Sequence, residues 1–388
     1  MNDSSFTWNS HISRICPFIC FLLTVTVHAA THYVSLNGTN DTANGYPNWE
    51  GAATNIQRAV AAATAGDTVL VSNGTYYLTN QIDIVIAITT TSVNGSSVTI
   101  VDGNNYPGKP VTNRCFNLGG GCVLDGFTIL NGNALYGGGI VIGAGTIRNS
   151  IIISNQCQSS SGAGGAGIYA SANTFICNSV ISYNVASNAA NCSGGGIFSS
   201  GVISNCIINA NKVWGVNYGK GGGAYLNGGF IYNSLIVGNY ANNWAGGVAV
   251  GTVINCTIIS NTADSLGGGI MQTKCLNSII YFNICGSSSN YPSDAWAAPY
   301  ATNCCIAPVT GLLVGSTNNT DLNPLFVDYV GGNYRLAPNS PCVNTGTNQN
   351  WMTNAVDLDN HSRIDRFSGI VDMGCFEYLP SGTMYSVP

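Results

Sequence analysis

Charge is what this sequence has least of. Asp, Glu, Lys and Arg make up 7% of its 388 residues, against roughly 25% in an ordinary soluble domain. Lys and Arg together number 11 and stand singly, so there is no basic stripe to follow a nucleic acid backbone. Histidine occurs 4 times and never between Asp125 and Cys285, which removes the commonest general base from that stretch. Proline is sparse. Long apolar runs are also missing. The one candidate, "CPFICFLLTVTV" at residues 16–27, falls short of the ~20 residues that span a bilayer.

That run has a different reading. Arg14 precedes it, and Val27, His28 and Ala29 place small residues where a signal peptidase cleaves. Residues 1–29 are therefore expected to be a secretory signal, and the protein extracellular or on the cell surface, with no transmembrane span in the mature chain. Processing would remove Cys16 and Cys20 and leave 13 of 15 cysteines. An odd number leaves at least one without an intramolecular partner.

What is abundant is a phrase. "NSIIISN" begins at Asn149, "NSVISYN" at Asn178, "NCIINAN" at Asn205, "NSLIVGN" at Asn233, "NCTIISN" at Asn255 and "NSIIYFN" at Asn277, with a variant "DGFTILN" at Asp125. Repetition at this spacing marks a solenoid. Aligned on the closing asparagine (Asn131, Asn155, Asn184, Asn211, Asn239, Asn261, Asn283), the residue three earlier is Ile in six coils and Thr128 in the first. The residue five earlier is small: Gly126, Ser150, Ser179, Cys206, Ser234, Cys256, Ser278. Shared parity places both on one face of a strand, as stacked interior rungs require. Recurring asparagines would stack ~4.8 Å apart and bond to one another. The glycines that follow, such as Gly194, Gly195 and Gly196, suit tight corners. Strands this short, in coils of 22 residues or more, point to a parallel β-helix. A leucine-rich repeat lacks support, because its Leu spacing and helical segment are missing. Near the start, "TNIQRAVAAATAG" carries Ile56, Val60 and Ala63 on one helical face, an amphipathic cap for an open apolar end.

On these residues the chain resembles secreted bacterial right-handed parallel β-helix proteins of the pectin-lyase-like superfamily. Its I-x-x-N…GGGI phrase is similar to the repeats of chlamydial polymorphic outer-membrane proteins, with Ile in place of Phe. "NPLF", "YRL", "NSPCVNTG", "DLDN", Arg363 and "VDMGCFE" resemble the closing module of exported β-helix proteins called choice-of-anchor. The expected architecture is all-β: signal peptide 1–29, N-terminal segment and cap helix 30–66, right-handed coils 67–305, closing module 306–378 and tail 379–388.

The superfamily includes pectate lyases and polygalacturonases, which need clustered or paired acids. Between Asp125 and Cys285 the acids are Asp125 and Asp264 alone, several coils apart. No catalytic residue is assigned. A non-catalytic protein that binds glycan or another surface is the leading expectation, and a carbohydrate-active enzyme the alternative. In the closing module Asp357 and Asp359, within "DLDN", partly match a Ca²⁺ loop, although His361 and Ser362 break the spacing. Asp–Arg pairing that orders the loop is the competing reading, and no other cofactor is implied. Three consecutive coils carry insertions at one corner, seen in the longer steps from Asn155 to Gly167, Asn184 to Gly196 and Asn211 to Gly223. The same coils present Tyr169, Phe198 and Tyr225 outward, and one insertion holds Lys212, Trp214, Tyr218 and Lys220. Insertions on one face of a solenoid often mark the binding face. These seven residues are the candidate glycan platform, unless the loops simply bury the rings. Cys157 and Cys192, in neighbouring insertions, are a candidate disulfide, whereas Cys206 and Cys256 at the small interior position are expected to stay thiols.

Overall fold

The structure is a computed structural model. It describes residues 29–380 except 44, 107–112, 159–161, 163, 188–190, 216–217, 287–294, 297–299, 308–315, 365 and 367. The expected signal segment up to residue 28 and most of the C-terminal tail lie outside the described residues. No helix among the described residues is long and apolar enough to cross a membrane.

The chain winds as a right-handed parallel β-helix with three sheets. One coil shows how its residues turn. Ile197–Ser199 and Val202–Ser204 lie in the longest sheet. Asn205, at φ 51°, makes the first corner. Asn tolerates this left-handed conformation better than other non-glycine residues, because its short side chain can bond locally. Ile207–Asn209 then joins a ten-stranded sheet, Ala210 (φ 54°) turns again, and Lys212–Trp214 joins a seven-stranded sheet. Gly221, at φ 68°, opens the last corner. Gly222 follows for a different reason: a β-carbon there would lie 2.3 Å from the Tyr240 carbonyl oxygen.

Ladder pairing sets the rungs in register. Ile129, Ile152, Ile181, Ile208, Ile236, Ile258, Ile280 and Ile306 stand opposite one another, all fully buried. The first coil is therefore offset by one residue from the sequence alignment. Ile129 rather than Thr128 fills the interior row, and Gly132 rather than Asn131 meets Asn155. Asn131 instead adopts φ 56° and bonds the buried carboxylate of Asp102.

From Asn155 onward the asparagines form one continuous column. Each side-chain nitrogen donates to the Oδ1 of the next: Asn155 to Asn184 at 3.0 Å, Asn184 to Asn211 at 2.9 Å, Asn211 to Asn239 at 3.0 Å, Asn239 to Asn261 at 2.9 Å and Asn261 to Asn283 at 2.9 Å. Each backbone N–H donates to the same oxygen. The side-chain nitrogen also reaches back to an isoleucine carbonyl of the preceding coil, as Asn211 does to Ile181 at 2.8 Å. Each amide of the column is thus satisfied by its neighbours, which is what makes so much buried polarity tolerable.

The ends are closed differently. The cap helix is Ile56–Ala62, shorter than the expected span, with Asn55 as its N-cap and Ile56, Ala59 and Val60 buried. Thr31–Val34 pairs in parallel with Thr68–Val71, so a rung already lies within the expected N-terminal segment. Asp67 ties it down, accepting from the Ala30 N–H at 2.7 Å, the Thr64 N–H at 2.7 Å and His32 at 3.1 Å. At the other end the chain folds back along the ten-stranded sheet. A hairpin of Phe326–Asp328 and Asn333–Leu336 and a 3-10 turn, Asn350–Asn354, cover the last coils. The corner asparagines hold this module by its carbonyls: Asn233 donates to Val356 at 2.7 Å, Asn255 to Asp372 at 3.1 Å, Asn277 to Thr347 at 2.9 Å and Asn303 to Thr345 at 3.0 Å.

Candidate ligand-binding face

Register places Asp83, Asn117, Val141, Tyr169, Phe198, Tyr225, Ala249 and Met271 in one outward row of the longest sheet. Tyr169 and Phe198 stack with centroids 5.0 Å apart and planes 6° from parallel, and Phe198 and Tyr225 at 5.3 Å and 11°. Tyr136 leans on Tyr169 at 5.1 Å. Strand spacing of ~4.8 Å brings neighbouring rings close enough to stack. The consequence alters the expected platform. Phe198 has both faces taken by its neighbours, so the column offers mainly ring edges to a ligand rather than flat faces.

The insertions do not lie across this column as a bare cover. Asn191–Ser193 pairs in parallel with Tyr218–Lys220, forming a second layer beside the seven-stranded sheet. Between the layers sits a small core of Cys157, Ala166, Ala186, Cys192, Val213 and Ala241. On its outside the rings are open: Trp214 is 48% exposed and Tyr218 45%. Trp214 packs against Tyr240 at 4.8 Å, and Tyr218 against Trp244 at 5.3 Å. Lys220 Nζ lies 4.6 Å from the centre of the Trp244 ring and 5.8 Å from that of Tyr218. The Tyr240 hydroxyl donates to Asp264 at 2.5 Å. Burial and that bond raise the Tyr240 phenol above its ordinary range. Lys212 is exposed at the edge of the same shelf. Trp244 and Tyr240 escaped the sequence reading because they lie in a coil without an insertion, and Asp264 was read only as an isolated acid.

The Cys157 and Cys192 side chains meet in that small core. The Cys157 contact outweighs burial and pulls the Cys192 thiol down. No disulfide joins any of the described cysteines. Cys206 and Cys256 are buried interior thiols, each pushed up to about 12 chiefly by burial.

Among the described residues, no two acids of the coils share an exposed site. Asp125 pairs with Arg148 at 2.8 Å, and Asp264 is bonded to Tyr240. Asp83, outside the stretch searched in the sequence, accepts from Asn117 at 2.8 Å and Gln81 at 3.0 Å. Arg114 stands beside it, donating to Gln81, Gly137 and Tyr136 at 3.0–3.1 Å. Next to Arg114 a cavity of about 480 Å³ opens, also lined by Gln81, Asn133 and Gln158.

The closing module brings Asp357, Asp359 and His361 together, with one ligand atom of each within 4.8 Å of the others. Both carboxylates already have partners. Asp357 accepts from the N–H groups of Asp359, His361 and Glu377 at 2.9, 2.7 and 2.8 Å. Asp359 holds Arg335 through both oxygens at 2.5 Å. A calcium ion takes six to eight oxygen ligands, more than these two carboxylates supply by themselves. Arg363, fully buried, pairs with Glu377 at 3.0 Å. Burial raises the Glu377 carboxyl to about 8 even though Arg363 opposes it.

No family model matches this sequence, and no curated protein does. Solved structures do. The chain is similar in fold to pectate lyase Pel9A, with a TM-score of 0.50 and 15% identity, covering 90% of this chain and 97% of that one. A rhamnogalacturonan lyase aligns with a TM-score of 0.40 and 14% identity over 77% and 91% of the two chains. Pectin methylesterase PemA from Erwinia chrysanthemi aligns at 0.37 and 12% over 75% and 91%. The fold is a parallel β-helix, as in that pectate lyase.

Proposed function

We propose that this is an exported, non-catalytic β-helix protein that binds glycan on the shelf formed by Trp214, Tyr218, Tyr240 and Trp244. The observation that carries the reading is the pair of exposed rings, each backed by a second ring, with Lys220 over one pair. Sugars present C–H faces that rest on such rings and hydroxyls that bond to nearby Lys and Asp side chains. Tyr169, Phe198 and Tyr225 act here as a stacked wall whose edges flank the shelf. A glycan array on the chain lacking residues 1–29 tests the idea. Trp214→Ala and Tyr218→Ala should each abolish the array signal with little loss of thermal stability, since both rings are half exposed. A blank array for the unaltered chain refutes the reading.

A second reading is a carbohydrate-active enzyme. The pectate lyase named above has a similar fold, and Asp83 with Arg114 beside a cavity is the observation in its favour. Turnover of acidic polysaccharides, with and without Ca²⁺, that disappears in Asp83→Asn would establish it in place of the first.

A further inference from the structure

The closing module meets the longest sheet along a seam, and there a cavity of about 430 Å³ opens between Ser204, Asn205 and Tyr232 of the coils and Trp351, Asn354 and Val356 of the module. Its volume lies in the range of small-molecule sites, which favour such junctions. The walls are aromatic. Trp351 meets Tyr232 edge to face at 5.5 Å, and Phe230 stacks on Tyr232 at 6.1 Å. They are also fixed. The Trp351 indole N–H donates to Gln349 at 3.0 Å, and the Val356 carbonyl accepts from Asn233 at 2.7 Å.

The polar groups are unspent. The Tyr232 hydroxyl, the Ser204 hydroxyl and the Asn205 amide nitrogen make no hydrogen bond among the described residues, whereas the Asn205 oxygen accepts from Asn233 at 3.0 Å. Burial alone raises the Tyr232 phenol, so the hydroxyl remains a neutral donor. Among the described residues, no charged side chain lines the cavity. Aromatic walls suit the C–H face of a sugar, and free hydroxyl and amide groups suit its hydroxyls. A uronate would bring a carboxylate with no cation to meet it, at a desolvation cost.

We propose that this seam cavity binds one neutral pyranose ring. The site lies on a different face from the Trp214 shelf and does not rest on it. Saturation-transfer NMR on the folded chain with the methyl glycosides of glucose, galactose, mannose and xylose, and with galacturonate, tests the proposal. At least one neutral glycoside should bind, and galacturonate should not. Tyr232→Phe keeps the ring and removes the hydroxyl, and Asn354→Ala alters an exposed residue, so both variants should fold. Each should weaken binding about fivefold, the worth of one hydrogen bond. Trp214→Ala should leave it unchanged. Binding of none of the glycosides, equal binding of galacturonate, or binding untouched by both seam variants overturns it.

Discussion

Ile151, Val180 and Ile207 stand in the same outward row as Leu235, Thr257 and Ile279, paired rung to rung. The later three are buried, and the first two are only half so. Ile207 marks the edge, touching the cluster of Phe376 and Cys375. The interior behind both halves is the same: one Ile per rung and one asparagine column. The repeat therefore builds the solenoid and leaves its outer surface undecided. What decides it is the closing module, held by the corner asparagines of the last coils and by Arg363.

That comparison breaks most visibly at Arg363. Its guanidinium donates to Asn233 and the Gly374 carbonyl and pairs with Glu377. Arg363→Ala should cost about 3 kcal/mol or more, because it strands the buried acceptors on Asn233, the Gly374 carbonyl and Glu377. Amide exchange should quicken at Leu235 and Ile279 and stay slow at Ile152 and Ile181. Equal quickening in both halves would mean that the solenoid and module unfold as one unit.

A change of pH should separate the two ends. Folding raises the Glu377 pKa, so the folded state holds a proton that the unfolded chain releases. This contribution is full below the ordinary carboxylate range and is lost as pH rises to about 8. Asp67 has the opposite sign. Burial opposes its ionisation, but bonds from Thr64, Ala30 and His32 win and hold the carboxyl well below its usual range. Its contribution is present above that range and fades in acid. Limited proteolysis should therefore attack the closing module first in mild alkali and the N-terminal strand first in acid.

Much of this was legible in the sequence. The interior isoleucines, the asparagine column and the glycine corners recur in phase, and a repeat constrains what no single coil could. Legibility failed where a residue leaves the pattern. Asn131 ends its phrase like the others, but the bond to Asp102 takes it out of the column, and nothing in "DGFTILN" reveals a partner near residue 102. Thr31–Val34 has no repeated phrase to announce it as a rung. In the candidate site, periodicity predicted the column of Tyr169, Phe198 and Tyr225, but ring planes depend on side-chain torsions that spacing does not encode. The acid cluster suggested Asp–Arg pairing. Arg335 with Asp359 is such a pair, whereas Arg363 chose Glu377.

The asparagine column should show no difference between the halves. Asn211→Ala strands the side-chain and backbone donors of Asn184 and the Ile181 carbonyl. At 1–3 kcal/mol for an unsatisfied buried group, a loss of about 3 kcal/mol is expected, and about the same for Asn261→Ala. Chemical denaturation of the two variants measures it. A large gap between them would show that the cover reaches the interior after all. The smallest effect is on the outer row. Ile279→Ser, under the module, should cost about 2 kcal/mol, and Ile151→Ser less than about 1 kcal/mol, in proportion to the apolar area each keeps from water.

The column also has a direction. From Asn155 to Asn261 each amide donates one N–H toward the C-terminal coil, and from Asn184 to Asn283 each oxygen accepts from the N-terminal one, so these side-chain dipoles point the same way. Aligned dipoles polarise one another and add. The positive end of this internal rod faces the C-terminal coils and its negative end the first coils, a sense determined by donor order alone. In a chain so poor in ions, the solenoid axis carries an electric polarity that no charged residue supplies.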